Sequence, residues 1–317
     1  MDRNGPQPDP HHHPQHHWLA LNALMHLGAI AGAIWLWPTP YWPAVVPCWI
    51  VAAWMNHAAL TMLHEAAHAS LWKSKPLNEL HGVLIGTLAL IPLSVYRYVH
   101  ARHHAHLGRE RDPEFWPYNL TSAPRALRIA YAWAELALGF LLTPLLYSVR
   151  TAFSWKSVPA RHRPRLLMEW AVILVVWPAA IAAILSLGWL ELFVVGWLVP
   201  AWIAGTAQTV RKFTEHLGMH GDTILTMTRT VAYTKPLGQA ASRTQRHVDH
   251  HATHHQRARI PFYNLPEATR HAYGREPEAR LYHSHAEAVL DMLPHLLNPK
   301  VGPQWSTRSK PPQPTTN

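Results

Sequence analysis

The sequence predicts an all-α integral membrane protein: about four transmembrane helices in two hairpins, with a cytoplasmic helical cap. Three observations predict it. The mean hydropathy is near zero, yet the apolar residues are gathered into long runs. Each long run is broken by a turn that has no Lys or Arg, while the segments between the runs hold nearly all the positive charge. The 26 histidines crowd at the ends of the runs and between them.

The first hairpin covers residues 18–63. WLALNALMHLGAIAGAIWLW and AVVPCWIVAAWMNHAALTML flank PTPYWP, whose prolines mark the turn. Residues 166–206 are almost wholly apolar. As one helix they would extend about 60 Å, twice a hydrocarbon core of about 30 Å. They therefore read as a second hairpin, turning near Ser186-Leu187-Gly188. GVLIGTLALIPLSV, 82–95, is too short to span comfortably and suits a re-entrant or interfacial helix. ALRIAYAWAELALGFLLTPLLYSV, 126–149, is read as lying along the interface or dipping into the bilayer. Lys73, Lys75, Arg97, Arg102, Arg109, Arg111, Arg211 and Lys212 all lie outside the hairpin turns, so these segments and both termini are expected to be cytoplasmic. Residues 18–300 form the membrane domain, and the polar, Pro-rich ends 1–17 and 301–317 are expected to be disordered.

Composition excludes several classes. One cysteine, Cys48, permits no intrachain disulfide, no cysteine-built iron–sulfur centre and no zinc finger. Sixteen tryptophans fit side chains at a membrane interface. The formal charge of +10 flanks the spans, where it meets anionic headgroups, and no nucleic-acid recognition motif accompanies it.

The histidines form clusters at one predicted membrane face. His64-Glu65-Ala66-Ala67-His68 ends the second span, and its i, i+4 pair shares one helix face about 6 Å apart. His57 lies about two turns earlier. Next come His100, His103 and His104, followed by Asp112-Pro113-Glu114, and then Glu215-His216 just past the last span. The densest stretch is HVDHHATHHQ, 247–256, in which five of ten residues are histidine. HExxH also occurs in zinc proteases, but that pattern does not explain the other clusters. Eight or nine imidazoles exceed what one tetrahedral zinc needs. Two metals with positions open to a further ligand would use them, although nitrogen donors suit Fe, Zn, Cu and Ni alike.

HEAAH at 64–68, HARHH at 100–104 with its DPE, Glu215-His216, Thr228-Arg229-Thr230, HVDHH at 247–251 and IPFYNLP at 260–266 appear in one order between two hairpins. In this the sequence resembles the membrane fatty acid desaturase superfamily, which includes related alkyl-chain hydroxylases. The resemblance covers about residues 40–270. It implies a non-haem di-iron centre held mostly by histidines, O2 as oxidant, a fatty acyl substrate in the lipid bilayer, and electrons from a separate donor of ferredoxin or cytochrome b5 type with its reductase. It implies metal ligands at His64, His68, His100, His103, His104, His216, His247, His250 and His251.

The dense stretch offers two HxxHH frames. His247/His250/His251 has an Arg-His start and lies nearer the last span; it is the frame preferred on sequence. His251/His254/His255 places its final pair five residues before Pro261, a spacing common in the family, and makes His254 and His255 the alternative ligands. Glu65, Asp112 and Asp249 are read as carboxylates that hold ligand imidazoles by hydrogen bonds; Glu65 and Asp249 read equally well as solvated charges. Desaturation is the expected reaction. A hydroxylase of the same superfamily is the alternative, since RHVDHH and Glu215-His216-Leu217-Gly218 resemble alkane hydroxylase motifs. A His-rich membrane metal transporter is the rival from another class.

Overall fold

The computed structural model describes residues 16–273 and 279–306. The ends expected to be disordered lie outside the described residues at 1–15 and 307–317. Residues 301–306 do not follow the expected disorder. Val301 is buried, its N–H donates to Tyr118 O at 3.1 Å, and Gln304 Nε2 donates to Asn119 O at 2.7 Å.

The described chain is mostly helical. Helix α1, His16–Leu36, and helix α2, Val45–His68, form the first hairpin around the proline turn. α2 stops at Ala69, which takes a left-handed φ of 58° and donates back to Ala66 O and Glu65 O. Helices α3, Lys75–Leu88, and α4, Leu93–His106, meet at 97°. Gly86 lets the chain double back there: a Cβ would lie 2.4 Å from Ile91 O. Pro92 then starts α4 without a backbone donor.

Helix α5, Arg125–Phe153, is kinked at Leu138, which has non-helical φ/ψ, and carries Pro144 inside. The second hairpin is α6, Arg163–Ser186, then α7, Leu190–Phe193, which runs through a π turn at Val194–Leu198 into α8, Val199–His216. Side chains of α8 satisfy carbonyls loosened by the α5 kink. Trp202 Nε1 donates to Ala137 O at 2.7 Å, Thr206 Oγ1 to Leu136 O at 2.9 Å and Thr209 Oγ1 to Glu135 O at 3.1 Å. Gly139 and Gly205 permit the close crossing; a Cβ on Gly205 would fall 2.7 Å from Phe140 N.

Four spans were expected. Among the described residues, five helices are long and apolar enough to cross a membrane, and six if α3 and α4 count as one bent span. The addition is α5, 29 residues long. Both of its ends bond to residues outside the long helices: Arg125 donates to Leu297 O and Arg128 to Pro299 O, while Arg150 donates to Pro113 O and Trp116 O.

The rest of the described chain is short elements: α9, Ile224–Met227; β1, Arg229–Val231; α10, Pro236–Thr244; α11, His251–Gln256; α12, Leu265–Tyr273; β2, Arg280–Tyr282; and α13, His285–Met292. β1 and β2 pair in parallel, Thr230 opposite Leu281. Arg229 is among the most deeply buried side chains. It donates to Thr214 O and Leu217 O and pairs with Asp291 at 2.6 Å, so a cation caps the C-terminus of α8 beside His216.

Candidate metal centre

Four elements bring nine histidines together. The ligand nitrogens of His64, His68, His100, His104 and His254 lie within 4.8 Å of one another, as do those of His103, His216, His251 and His255. The sorting follows from helix geometry. Residues at i and i+4 share a face, while the residue at i+3 points to a neighbouring one. His64/His68 and His100/His104 are i, i+4 pairs in the five-histidine group, and His251/His255 is the i, i+4 pair of the four-histidine group. The odd residue of each HxxHH crosses over: His103 joins the second group and His254 the first.

In this respect the structure differs from the preferred sequence frame. His247 and His250 are not in either group. α11 begins at His251, so only His251, His254 and His255 share helical spacing. Arg246 and His247 take left-handed φ values of 54° and 52°, which turns His247 out of register. His247 Nδ1 instead lies 2.8 Å from Ser242 Oγ, and His250 Nδ1 lies 2.9 Å from Thr269 Oγ1. Asp249 holds no gathered imidazole. Both its oxygens accept from Ser242 Oγ, at 2.9 and 2.8 Å, and burial pushes its carboxyl up to about 6.

Other carboxylates orient the rings. Glu65 Oε1 lies 2.9 Å from His64 Nδ1, and Ser70 Oγ holds the other Glu65 oxygen at 2.6 Å. Asp112 Oδ2 lies 2.8 Å from His103 Nδ1 and also accepts from Gly108 N at 2.8 Å. Glu114 Oε1 lies 3.0 Å from His100 Nδ1. Met227 O lies 3.2 Å from His216 Nδ1. Each of these oxygens, in an ionised carboxylate or a carbonyl, can only accept. Nδ1 therefore carries the proton and Nε2 turns a lone pair inward. The role of Glu114 was missed in the sequence, although DPE contained the signal: a tight turn at Pro113–Phe115 puts both acids on the same side.

The inward nitrogens fit cations. In the five-histidine group, Nε2 of His100 lies 3.1 Å from those of His68 and His104, and His254 Nε2 lies 3.1 Å from His104 Nε2. In the other group the steps His103–His255, His255–His251 and His251–His216 are 3.2, 3.1 and 3.0 Å. One ring nitrogen offers a single proton or a single lone pair, so a chain of such contacts cannot all be hydrogen bonds. Two nitrogens each about 2.1 Å from one ion, at about 90–100°, lie about 3.0–3.2 Å apart, as these do. His64 Nε2 is buried and without a partner. Burial, then the neighbouring imidazoles, hold His251, His254 and His255 well below the ordinary histidine value, which keeps them neutral and able to ligate. Glu215 lies beside the four-histidine group, its Oε2 3.4 Å from His251 Nε2 and its Oε1 paired with Arg211 at 2.6 Å.

A cavity of about 300 Å³ opens against both groups. His64 and His100 line it from the first group, and His103, His216 and His251 from the second. Away from the histidines its wall includes Leu60, Leu63, Leu88, Ile91 and Phe140.

The chain is similar to known desaturases. A dihydrorhizobitoxine desaturase of Bradyrhizobium elkanii is 26% identical over 261 residues, covering 78% of this chain and 71% of that protein. A fatty acid desaturase of Bacillus subtilis is 21% identical over 237 residues, covering 70% and 66%. An sn-1 acyl-lipid omega-3 desaturase (ferredoxin) of Synechocystis is 28% identical over 102 residues, covering 32% and 27%. The Fatty acid desaturase family profile matches residues 40–286, which include all nine gathered histidines, and the chain belongs to the membrane fatty acid desaturase superfamily.

Proposed function

We propose that this chain is a di-iron, O2-dependent desaturase of an apolar alkyl or acyl chain bound in the cavity. The observation that carries the reading is one cavity lined by both histidine groups at one end and by apolar side chains beyond. His64, His68, His100, His104 and His254 would hold one iron; His103, His216, His251 and His255 would hold the other. When bound, the irons supply the oxidising power to break an unactivated C–H bond, which no side chain supports. Two hydrogens leave adjacent carbons; with two electrons and two protons from outside, O2 leaves as two waters.

The chain's own residues bind, orient and exclude. Glu65, Asp112, Glu114 and Met227 O fix four rings with Nε2 inward. Leu60, Leu63 and Phe140 line the route for an apolar chain and keep it dry. Electrons come from a separate protein of ferredoxin or cytochrome b5 type; the Synechocystis relative carries ferredoxin in its name. α1, α2, α6 and α7–α8 are the proposed four spans, with α5 along the interface. Its hydrogen bonds through Arg125 and Arg128 at the start and Arg150 near the end support that course. The Lys- and Arg-bearing segments support a cytoplasmic cap.

The test is metal content with product analysis. The protein is purified in detergent, iron and zinc are measured per chain, and lipids of the expressing cells are profiled by mass spectrometry. About two irons per chain, with a product lighter by two hydrogens, is the expected result. A product heavier by one oxygen would make it a hydroxylase. Zinc alone with no new product would overturn both.

A further inference from the structure

Three carboxylates touch the gathered rings from behind. Glu65, Asp112 and Glu114 each meet an Nδ1, the nitrogen turned away from its group. Glu215 is placed differently. Its Oε2 lies 3.4 Å from His251 Nε2, the nitrogen turned inward. Among the described residues it is the one carboxylate so placed against a gathered histidine. Glu215 is buried and lines the cavity with His216 and His251.

A hydrogen bond to His251 is a poor account of this contact. N–H···O bonds have lengths of about 2.7–3.2 Å. His251 Nε2 already stands 3.0 Å from His216 Nε2 and 3.1 Å from His255 Nε2. Two donors each about 2.1 Å from one ion, at about 105–110°, lie about 3.4 Å apart. Carboxylate and imidazole also serve together on non-haem iron. Glu215 stands at the edge of the group, outside the set of atoms that all lie within 4.8 Å of one another, so binding takes a side-chain shift toward His251.

The helix and Arg211 aim the carboxylate. Glu215 precedes His216 in the last turn of α8. Arg211, one turn earlier, holds Oε1 at 2.6 Å and leaves Oε2 toward His251. Arg211 is itself braced: its Nε donates to Gln208 Oε1 at 3.4 Å, and Gln208 is partnered by His57 of α2. The first group has five imidazoles and the second has four. A fifth donor from Glu215 makes the two alike, and a six-coordinate ion in each keeps one position for a further ligand.

We propose that Glu215 is a metal ligand, the fifth donor of the four-histidine group, and that Arg211 positions it. This rests on the reading that both groups hold metal ions, but not on the reaction they carry out.

The test adds cobalt(II) to the metal-free full chain in detergent. Cobalt's visible bands strengthen as its coordination number falls, and loading needs neither O2 nor an electron donor. The intact chain should bind about two cobalt ions. Glu215→Gln keeps the shape and an acceptor for Arg211 but removes the anionic donor. One cobalt should then bind about 100-fold more weakly against a competing chelator, the upper end of what loss of an outer hydrogen-bond partner costs, and its bands should strengthen. The other cobalt should keep its affinity. Glu215→Asp draws the carboxylate back by one methylene; it should change the same bands in the same direction, and it decides the matter if Glu215→Gln misfolds. Arg211→Gln should shift those bands to a lesser degree. Unchanged bands in the Glu215 variants would overturn the ligand role, whether or not affinity falls, because a carboxylate that acts only through its charge leaves the coordination number as it was. An intact chain that binds no cobalt would overturn the metal centre and this ligand with it, and that failure is seen before any variant is made.

Discussion

Replacing single histidines in HVDHHATHHQ separates the two frames, and the structure sets the size of each effect. His255 belongs to the four-histidine group, so His255→Ala leaves three imidazoles there. His254 belongs to the five-histidine group, so His254→Ala leaves four. The expected order follows. His255→Ala should weaken the four-histidine group and lower bound iron after dialysis from about two towards about one per chain, because one of its four imidazoles is lost. His254→Ala should keep its iron at high concentration and lose it on dilution or mild chelation. His247→Ala and His250→Ala remove side-chain hydrogen bonds to Ser242 and Thr269 and no member of either histidine group. Each should cost about 1 kcal/mol of stability and leave iron content unchanged. The assay is iron per chain by mass spectrometry of the metal, before and after dialysis, beside a thermal melt. Iron loss in His247→Ala with full retention in His254→Ala and His255→Ala would refute the grouping and restore the earlier frame.

Three further outcomes are expected. Asp112→Asn disturbs the acceptor that holds both His103 Nδ1 and Gly108 N at 2.8 Å; iron affinity should fall about 10–100-fold, read by titration with a competing chelator, and unchanged affinity would remove Asp112 from the ring-holding role. Gly205→Ala puts a Cβ against the Phe140 backbone at the α5–α8 crossing, where N and Cα would lie 2.7 and 2.8 Å away; the cost should be about 1–3 kcal/mol, seen as a lower melting temperature in detergent, and an unshifted melt would mean the crossing is loose. Metal-free protein should lose stability as pH falls below 6.5, the ordinary histidine value, because unfolded His251, His254 and His255 then bind protons that the native chain, with those values held lower, does not; melts at descending pH check this, and a flat profile would contradict the burial.

Much of the fold could be read from hydropathy because a span is a property of composition and length. The two hairpins, their turns and the sharp α3–α4 bend near the short run 82–95 are of this kind. α5 is not. Its apolar run is as long as a span, and the proposed course along the interface rests on the bonds of Arg125, Arg128 and Arg150. Those bonds join residues far apart in sequence, so no local pattern carries them. Residues 301–306 were misjudged for the same reason. PQW reads as polar tail, but Trp305 Nε1 donates to Tyr118 O at 2.9 Å and Arg128 stacks on its ring.

The site shows where pattern ends and backbone begins. HxxHH serves both histidine groups only if all three residues are helical, because i+4 then returns to one group while i+3 reaches the other. HARHH at 100–104 lies inside α4, so spacing alone sufficed there. HVDHHATHHQ contains the same spacing twice, and what decides between them is the residue at which the helix starts. The left-handed Arg246 and His247 delay that start to His251. Neither is glycine or asparagine, the residues that normally announce such a conformation. The one local clue was downstream: the five residues that separate His255 from Pro261. A strained turn held by Ser242, between α10 and α11, thus selects which of the two HxxHH motifs joins the gathered histidines. Relieving it with Arg246→Gly should therefore leave the three ligands in place, whereas a β-branched residue at 246 should shift the helix start and disturb His251 first.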